Sequence, residues 1–150
     1  MATKRWTGGG STSGPHSGNW NVASNWSPSG VPTAGDDVVL GGSGISGDYT
    51  VTLNINTPRL DSLTINDSSF FGQATLAIGS FTLDVTGTGS GHTNAVSVSN
   101  GNHITIVGGT IKASALALTS SAARLQRAGA SIMTRYIKRA AANQVVGGTR

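Results

Sequence analysis

Ser62-Leu63-Thr64-Ile65, Thr82-Leu83-Asp84-Val85 and His103-Ile104-Thr105-Ile106 repeat one short pattern, with starts 20 and then 21 residues apart. A second series, Thr75-Leu76-Ala77-Ile78, Ala95-Val96-Ser97-Val98 and Ala115-Leu116-Ala117-Leu118, runs between them with starts 20 and 20 apart. Inside each copy aliphatic residues alternate with Thr, Ser, Ala or Asp, the signature of a strand with one face in a core. A fixed period near 20 residues marks units that bury their apolar faces only by stacking on their neighbours. Two such strands per turn, joined by Gly-, Ser- and Asn-rich corners, predict an all-β chain: a parallel β-solenoid, a single-stranded β-helix of about 20 residues per rung. Leu63, Leu83 and Ile104 would form one stack beside Ile65, Val85 and Ile106. Leu76, Val96 and Leu116 would face them, beside Ile78, Val98 and Leu118. A leucine-rich repeat shares the period, but only Leu60–Ile65 matches its leucine spacing. An antiparallel sandwich also suits short, regularly spaced strands, yet does not require the phase to be kept.

Outside this stretch the chain changes character twice, dividing into an N-terminal cap at 1–35, a repeat body at 36–120 and a basic tail at 121–150. Residues 1–35 are rich in Gly, Pro, Asn and Ser, which favours turns over helix. All three tryptophans, Trp6, Trp20 and Trp26, lie there, suited to covering an end that would otherwise expose strand edges and core. Asp36-Asp37-Val38-Val39-Leu40 and Tyr49-Thr50-Val51-Thr52-Leu53-Asn54-Ile55 read as the first strands. Corners are expected at Asn66-Asp67-Ser68, Gly87–Gly91 and Gly108-Gly109.

After Ser120 the periodicity shifts. Leu125, Ile132, Met133, Tyr136 and Ile137 fall on one helical face, with Arg124, Arg127, Arg135, Lys138 and Arg139 around the rest. The tail reads as a short helical cap or a frayed end. Binding of this basic face to anionic membrane is the lesser expectation, because the apolar face is short.

The 150 residues include 22 Gly, no Cys, no Glu and only 11% charged residues, which leans toward a secreted or surface β-protein. Absence of cysteine removes disulfides and thiolate chemistry. The formal charge of +4 is unevenly placed: residues 1–120 carry four basic residues and six Asp, while 121–150 carry six basic residues and no acid. The body therefore gives no electrostatic reason to expect nucleic acid. No cleavable signal peptide and no long apolar stretch is visible.

Trp6-Thr7-Gly8-Gly9, Gly18-Asn19-Trp20-Asn21, Ala23-Ser24-Asn25-Trp26 and Val31-Pro32-Thr33-Ala34-Gly35-Asp36-Asp37-Val38-Val39-Leu40, leading into Tyr49–Leu53, resemble the opening of bacterial autotransporter-passenger-like and adhesin-like parallel β-helix repeat proteins. The resemblance spans about residues 6–118. It implies a right-handed parallel β-helix exported to the cell surface, in proteins often much longer than this chain. The chain departs from that pattern in lacking a calcium-binding nonapeptide array and an outer-membrane barrel.

Candidate chemistry is sparse. The acids Asp36, Asp37, Asp48, Asp61, Asp67 and Asp84 place no pair on adjacent rungs at one register, as polysaccharide lyases and hydrolases would need. Asp36-Asp37 reads as a strand-start or cap feature rather than a Ca²⁺ site, and Asp84 as solvent-facing. His16, His92 and His103 lack metal-ligand spacing and read as solvated. No nucleophile motif surrounds a serine. Neither catalysis, nor a metal, nor a cofactor is expected. Trp20 and Trp26 are the candidate ligand-binding residues, able to stack on sugar rings if exposed, whereas as cap packing they need no partner. Thr64, Thr82 and Thr105 invite an ice-binding reading that the interrupting Ser, Asp, Ala and His oppose.

These readings converge on a non-catalytic structural or adhesive module, a stiff body presenting loops to glycans or other cell-surface components. The alternatives are a carbohydrate-binding or carbohydrate-active fragment, and a fibre subunit self-associating through an uncapped C-terminal edge.

Overall fold

The computed structural model describes residues 2–9, 16–41, 45, 47–66, 74–87, 96–99, 103–118, 124–128, 131–134, 137–139 and 145–147. Strand β1 (Thr3–Trp6), β2 (Gly18–Asn19), a 3-10 turn (Ala23–Asn25) and β3 (Trp26–Ser27) come first. The alternating segments then form β4 (Asp37–Leu40), β5 (Tyr49–Thr52), β6 (Ser62–Asn66), β7 (Ala74–Val85), β8 (Val96–Ser99), β9 (His103–Ala113) and β10 (Leu116–Leu118). The tail adds β11 (Arg124–Ala128), β12 (Ser131–Thr134), β13 (Ile137–Arg139) and β14 (Val145–Gly147).

These strands divide between two sheets. The first runs β13-β10-β8-β6-β4-β1-β3 and the second β14-β11-β9-β7-β5-β2, with β12 also paired to β9. The first sheet is mixed, because β3 pairs antiparallel with β1 while its other pairs are parallel. The second is parallel.

Alternation sets which residues meet. In the first sheet Val38, Leu63, Val96 and Leu116 follow one another in register. In the second the succession is Val51, Leu76 and Ile106. All seven are buried, and core residues of both sheets form one cluster. Complete burial of a side chain such as Leu76 contributes about 1.5–3 kcal/mol. On the opposite face of the second sheet Thr50, Thr75 and Thr105 stand in register and half-buried. Such cross-strand pairs add about 0.2–1 kcal/mol each.

This arrangement corrects the solenoid expectation. The chain forms one mixed and one parallel sheet and no closed solenoid, so neither a single-stranded β-helix nor a constant 20-residue rung describes it. Paired residues lie from 20 positions apart, as Val96 and Leu116, to 34 apart, as Thr3 and Asp37, with Leu63 and Val96 at 33. The expected stacks are redrawn accordingly. Leu76 and Leu83 both belong to β7, a 12-residue strand, instead of facing each other. Leu83 pairs with Ile111, and Ile104 with Ala74, so neither stands over Leu63. The period failed because β7 and β9 each join two alternating segments through a bend. Gly79, Gly108 and Gly109 make that bend, with φ of +65°, +66° and +64°, where the register between the two strands shifts.

The tail is corrected as well. Where a helical cap was expected, β11 to β14 continue both sheets, and the described residues contain no α-helix. Leu125 pairs with Ile104 and Val145, and Ile132 with Ile111. An open sheet edge offers each segment a ladder of backbone partners, which outweighs a weak helical pattern broken by glycine. Tyr136, the fourth residue of the expected helical face, lies outside the described residues.

Candidate functional site

The N-terminal end gathers the chain's chemically distinctive residues. β1 places Trp6 in register with Trp26 of β3, and β2 brings Trp20 beside them. Trp6 and Trp26 meet edge to face at 5.0 Å between ring centroids, and Trp20 and Trp26 at 4.7 Å. Trp6 Nε1–H donates to the carbonyl of His16 and Trp26 Nε1–H to that of Trp20, both at 2.8 Å. Trp20 Nε1–H finds no acceptor among the described residues. The three rings are 1%, 0% and 2% exposed in chain order. A ring with so little exposed surface offers no face to a sugar, so the reading of Trp20 and Trp26 as a stacking platform gives way to core packing.

His16 is also buried, against the expectation of a solvated histidine, and its Nδ1 lies 3.2 Å from the carbonyl oxygen of Thr7. No spacing rule reveals this, because it depends on Gly8 and His16 meeting in space. A Cβ at Gly8 would fall within His16's backbone. His92 lies outside the described residues, and His103 opens β9 in register with Arg124.

Asp36 sits immediately before β4 and is 3% exposed. Its Oδ1 accepts the Ala2 N–H at 2.8 Å, and its Oδ2 accepts the N–H and hydroxyl of Thr33, both at 2.9 Å. Burial alone would raise this carboxyl, but the Thr33 and Ala2 N–H groups and the Thr33 hydroxyl outweigh it and hold the pKa below the usual carboxylate value. Asp36 therefore ties the start of β1 to the turn before β4.

A lowered folded pKa stabilises above the unfolded pKa of about 3.9, and that contribution is lost as pH falls through the folded value. Thermal melts across the acid range are expected to show the native protein losing stability below about pH 4, with Asp36→Asn showing less of that loss. At neutral pH the variant is expected to be less stable by about 1–3 kcal/mol, because an amide N–H₂ would replace one acceptor among donors. Equal acid sensitivity in both proteins would remove Asp36 as the cause.

The carboxylates of Asp37 and Asp84 also accept hydrogen bonds. Ser62 Oγ–H donates to Asp37 Oδ1 across β4 and β6. Asp84, expected to face solvent, is half-buried, and its Oδ1 accepts the Thr86 N–H at 3.2 Å and hydroxyl at 2.7 Å. Asp61 is buried, and its N–H donates to the carbonyl of Asp36 at 2.9 Å. Asp36 and Asp61, each immediately before a strand, are thus joined through their backbones one place ahead of the Asp37–Ser62 pair. Asp36-Asp37-Val38 and Asp61-Ser62-Leu63 contain the signal, an Asp two places before the first core residue, but it repeats at 25 positions, outside the period sought.

Of the expected core residues, Leu63, Ile65, Leu76, Ile78, Leu83, Val85, Val96, Val98, Ile106 and Leu116 are buried. Ile104 is in register with Ala74, and Leu118 with Val98. Between the sheets, Leu63, Val98, Ile106 and Ile111 help line an apolar cavity of about 10 Å³. That is at most one water in size and offers no polar group to hold one. Among the described residues no three His or Asp side chains gather as a metal centre would require, and no helix is long and apolar enough to cross a membrane.

The sequence matches no protein-family model, and comparison with curated proteins and with solved structures gives no match either. The reading of function rests on the residues themselves.

Proposed function

We propose that this chain is a non-catalytic structural or adhesive module of a bacterial surface protein, a stiff two-sheet body that presents its connecting loops to a partner such as a glycan. One observation carries the reading: side chains capable of chemistry at the N-terminal end are committed to holding the body together. Asp36 binds donors from two segments, Asp37 accepts from Ser62, His16 is buried against Thr7, and two of the three tryptophans donate to nearby carbonyls. A carboxylate saturated with donors is a poor general base. Long runs of parallel pairing on a shared core make the body resist bending, which suits display of loops at a distance from a surface. The Trp, Asn-Trp and Gly-Asp-Asp series of the first 40 residues supports the adhesin-like assignment and, with it, a secreted or cell-surface location.

A glycan array probed with the whole chain, followed by incubation of each bound glycan and analysis for cleavage, tests the proposal. Binding without new reducing ends or unsaturated products is the expected result. Glycan cleavage would replace this reading with a carbohydrate-active one, and an empty array would leave a structural role without the glycan-adhesive one.

A further inference from the structure

We propose that Asp36 is an acid-sensitive latch on the first strand: protonation of its carboxyl releases residues 2–5 from β4 and bares the β4 backbone, while the core of both sheets stays folded. The inference stands apart from the loop-mediated function above. It starts from the place of β1, which lies in the first sheet between β3 and β4 and pairs with residues of β4 34 positions later.

Of the β1 side chains only Trp6 is buried, while Thr3 and Arg5 are exposed and Lys4 is half-buried. Apolar burial therefore does little to fix residues 2–5, and polar contacts hold them instead. Ala2 is bound at both of its backbone groups: its N–H donates to Asp36 Oδ1 at 2.8 Å, and its carbonyl accepts the Asp37 N–H at 2.9 Å. Lys4 Nζ donates to the carbonyls of Pro28 and Ser29, both at 3.2 Å. Of the two side chains in these contacts, Asp36 is the buried one.

The far end of β1 is fastened differently. Trp6 packs edge to face on Trp26 and donates to the His16 carbonyl, and the Thr7 N–H donates to the Asn25 carbonyl at 2.8 Å. His16 Nδ1 meets the Thr7 carbonyl, a contact that survives acid because the neutral Nδ1–H form and the cation both donate there. Acid thus loosens the start of β1 and leaves Trp6 and Thr7 as its anchor.

Three donors converge on the Asp36 carboxylate, two from Thr33 and one from Ala2. A protonated carboxyl is a weaker acceptor and brings an O–H donor into that group. Thr33 stays close because it is three residues away in the chain, whereas Ala2 is 34 away and has little else to keep it there. The charged groups around Asp36 are Asp37 beside it, Asp61 joined to it through the backbone, Lys4 on β1, and Arg59, whose guanidinium is bound to the Thr86 carbonyl. The chain's α-ammonium group also favours the ionised carboxylate. With the carboxyl held below its ordinary value in the closed arrangement, closure is supported above about pH 4 and weakens as pH falls through the folded value.

Hydrogen exchange of the whole chain, followed by NMR at pH 7 and about pH 3 and corrected for the intrinsic rate, tests the latch. The Asp37 amide, which donates to Ala2, reports release, and the Leu53 amide, which donates to the Ala77 carbonyl, reports the core. Protection at Asp37 is expected to fall several-fold in acid while Leu53 stays protected. Asp36→Asn is expected to show the lowered protection at position 37 already at pH 7, with no further fall in acid. Asp37→Asn is expected to keep the acid dependence, which separates the two neighbouring carboxylates. The proposal is overturned if Asp37 keeps its protection in acid, if Asp37 and Leu53 lose protection together, or if Asp36→Asn retains the acid dependence or Asp37→Asn abolishes it. The first two outcomes are read on the unaltered protein and need neither variant to fold.

Discussion

Trp26→Ala is expected to lower the free energy of unfolding by about 3–5 kcal/mol, read as a reduced midpoint in urea denaturation followed by circular dichroism. Trp26 is 2% exposed and is the ring that both other tryptophans touch, so its removal leaves Trp6 and Trp20 without an edge-to-face partner. It also frees the carbonyl of Trp20, which now accepts Trp26 Nε1–H at 2.8 Å. Against a total stability of about 5–15 kcal/mol for an ordinary domain, such a loss leaves little margin. Val22→Ala, in the same segment but at a side chain 39% exposed, is expected to change stability by no more than about 0.5 kcal/mol. If the two variants melt alike, the tryptophan layer is not what closes this end.

Gly109→Ala should be nearly as damaging, for a different reason. Gly109 lies inside β9 at φ +64°, a left-handed conformation that costs a residue with a Cβ about 1–2 kcal/mol. A Cβ there would also fall within the side chain of Ile78 and 2.7 Å from the carbonyl oxygen of Phe81, so β7 and β9 would have to separate. Overpacking of this kind adds about 1–3 kcal/mol. Gly47→Ala separates the two contributions, because Gly47 has φ +79° but no neighbouring atom within 4 Å of where its methyl group would stand. The expected result is a loss at Gly47 of the backbone contribution alone and a loss at Gly109 roughly twice as large, both measured by urea denaturation. Equal losses would show that the contact with Ile78 relaxes without cost.

Much of the local structure was legible because strand alternation is written residue by residue. Leu63, Ile65, Leu76, Leu83, Val96 and Leu116 each sit in an alternating run, and each is buried. Pairing was less legible, because it depends on the length of the path between strands. Leu63 reaches Val96 across 33 positions and Val96 reaches Leu116 across 20, while the sequence pattern suggested one interval for all. The bends at Gly79 and Gly108–Gly109 turn two apparent strands into one, which moved Leu83 and Ile111 into the same sheet as Leu76.

The site at the N-terminal end shows the same division. Three tryptophans ahead of the first repeat pointed to a closing layer, while aromatic residues in a Gly-rich segment also allowed the lesser reading of a sugar platform. Solvent exposure decides between those roles, and exposure follows from the pairing of β1 with β3 and β4, which no local pattern states. The same holds for His16 and for the contact of Asp61 with Asp36, since both depend on segments distant in sequence meeting at one end.

The sequence by itself determined that the repeat body at 36–120 would be built of strands, which positions along each would be apolar, and that positive charge would collect after Ser120, because these follow from side-chain chemistry and a two-residue alternation. Only the tertiary structure decided that the strands divide between a mixed and a parallel sheet, and that the tail extends both as strands instead of coiling as a helix. The physical reason is that backbone hydrogen bonds between strands are satisfied only by the partner that arrives in register. Which segment arrives is settled by the whole chain's packing and not by any stretch within it.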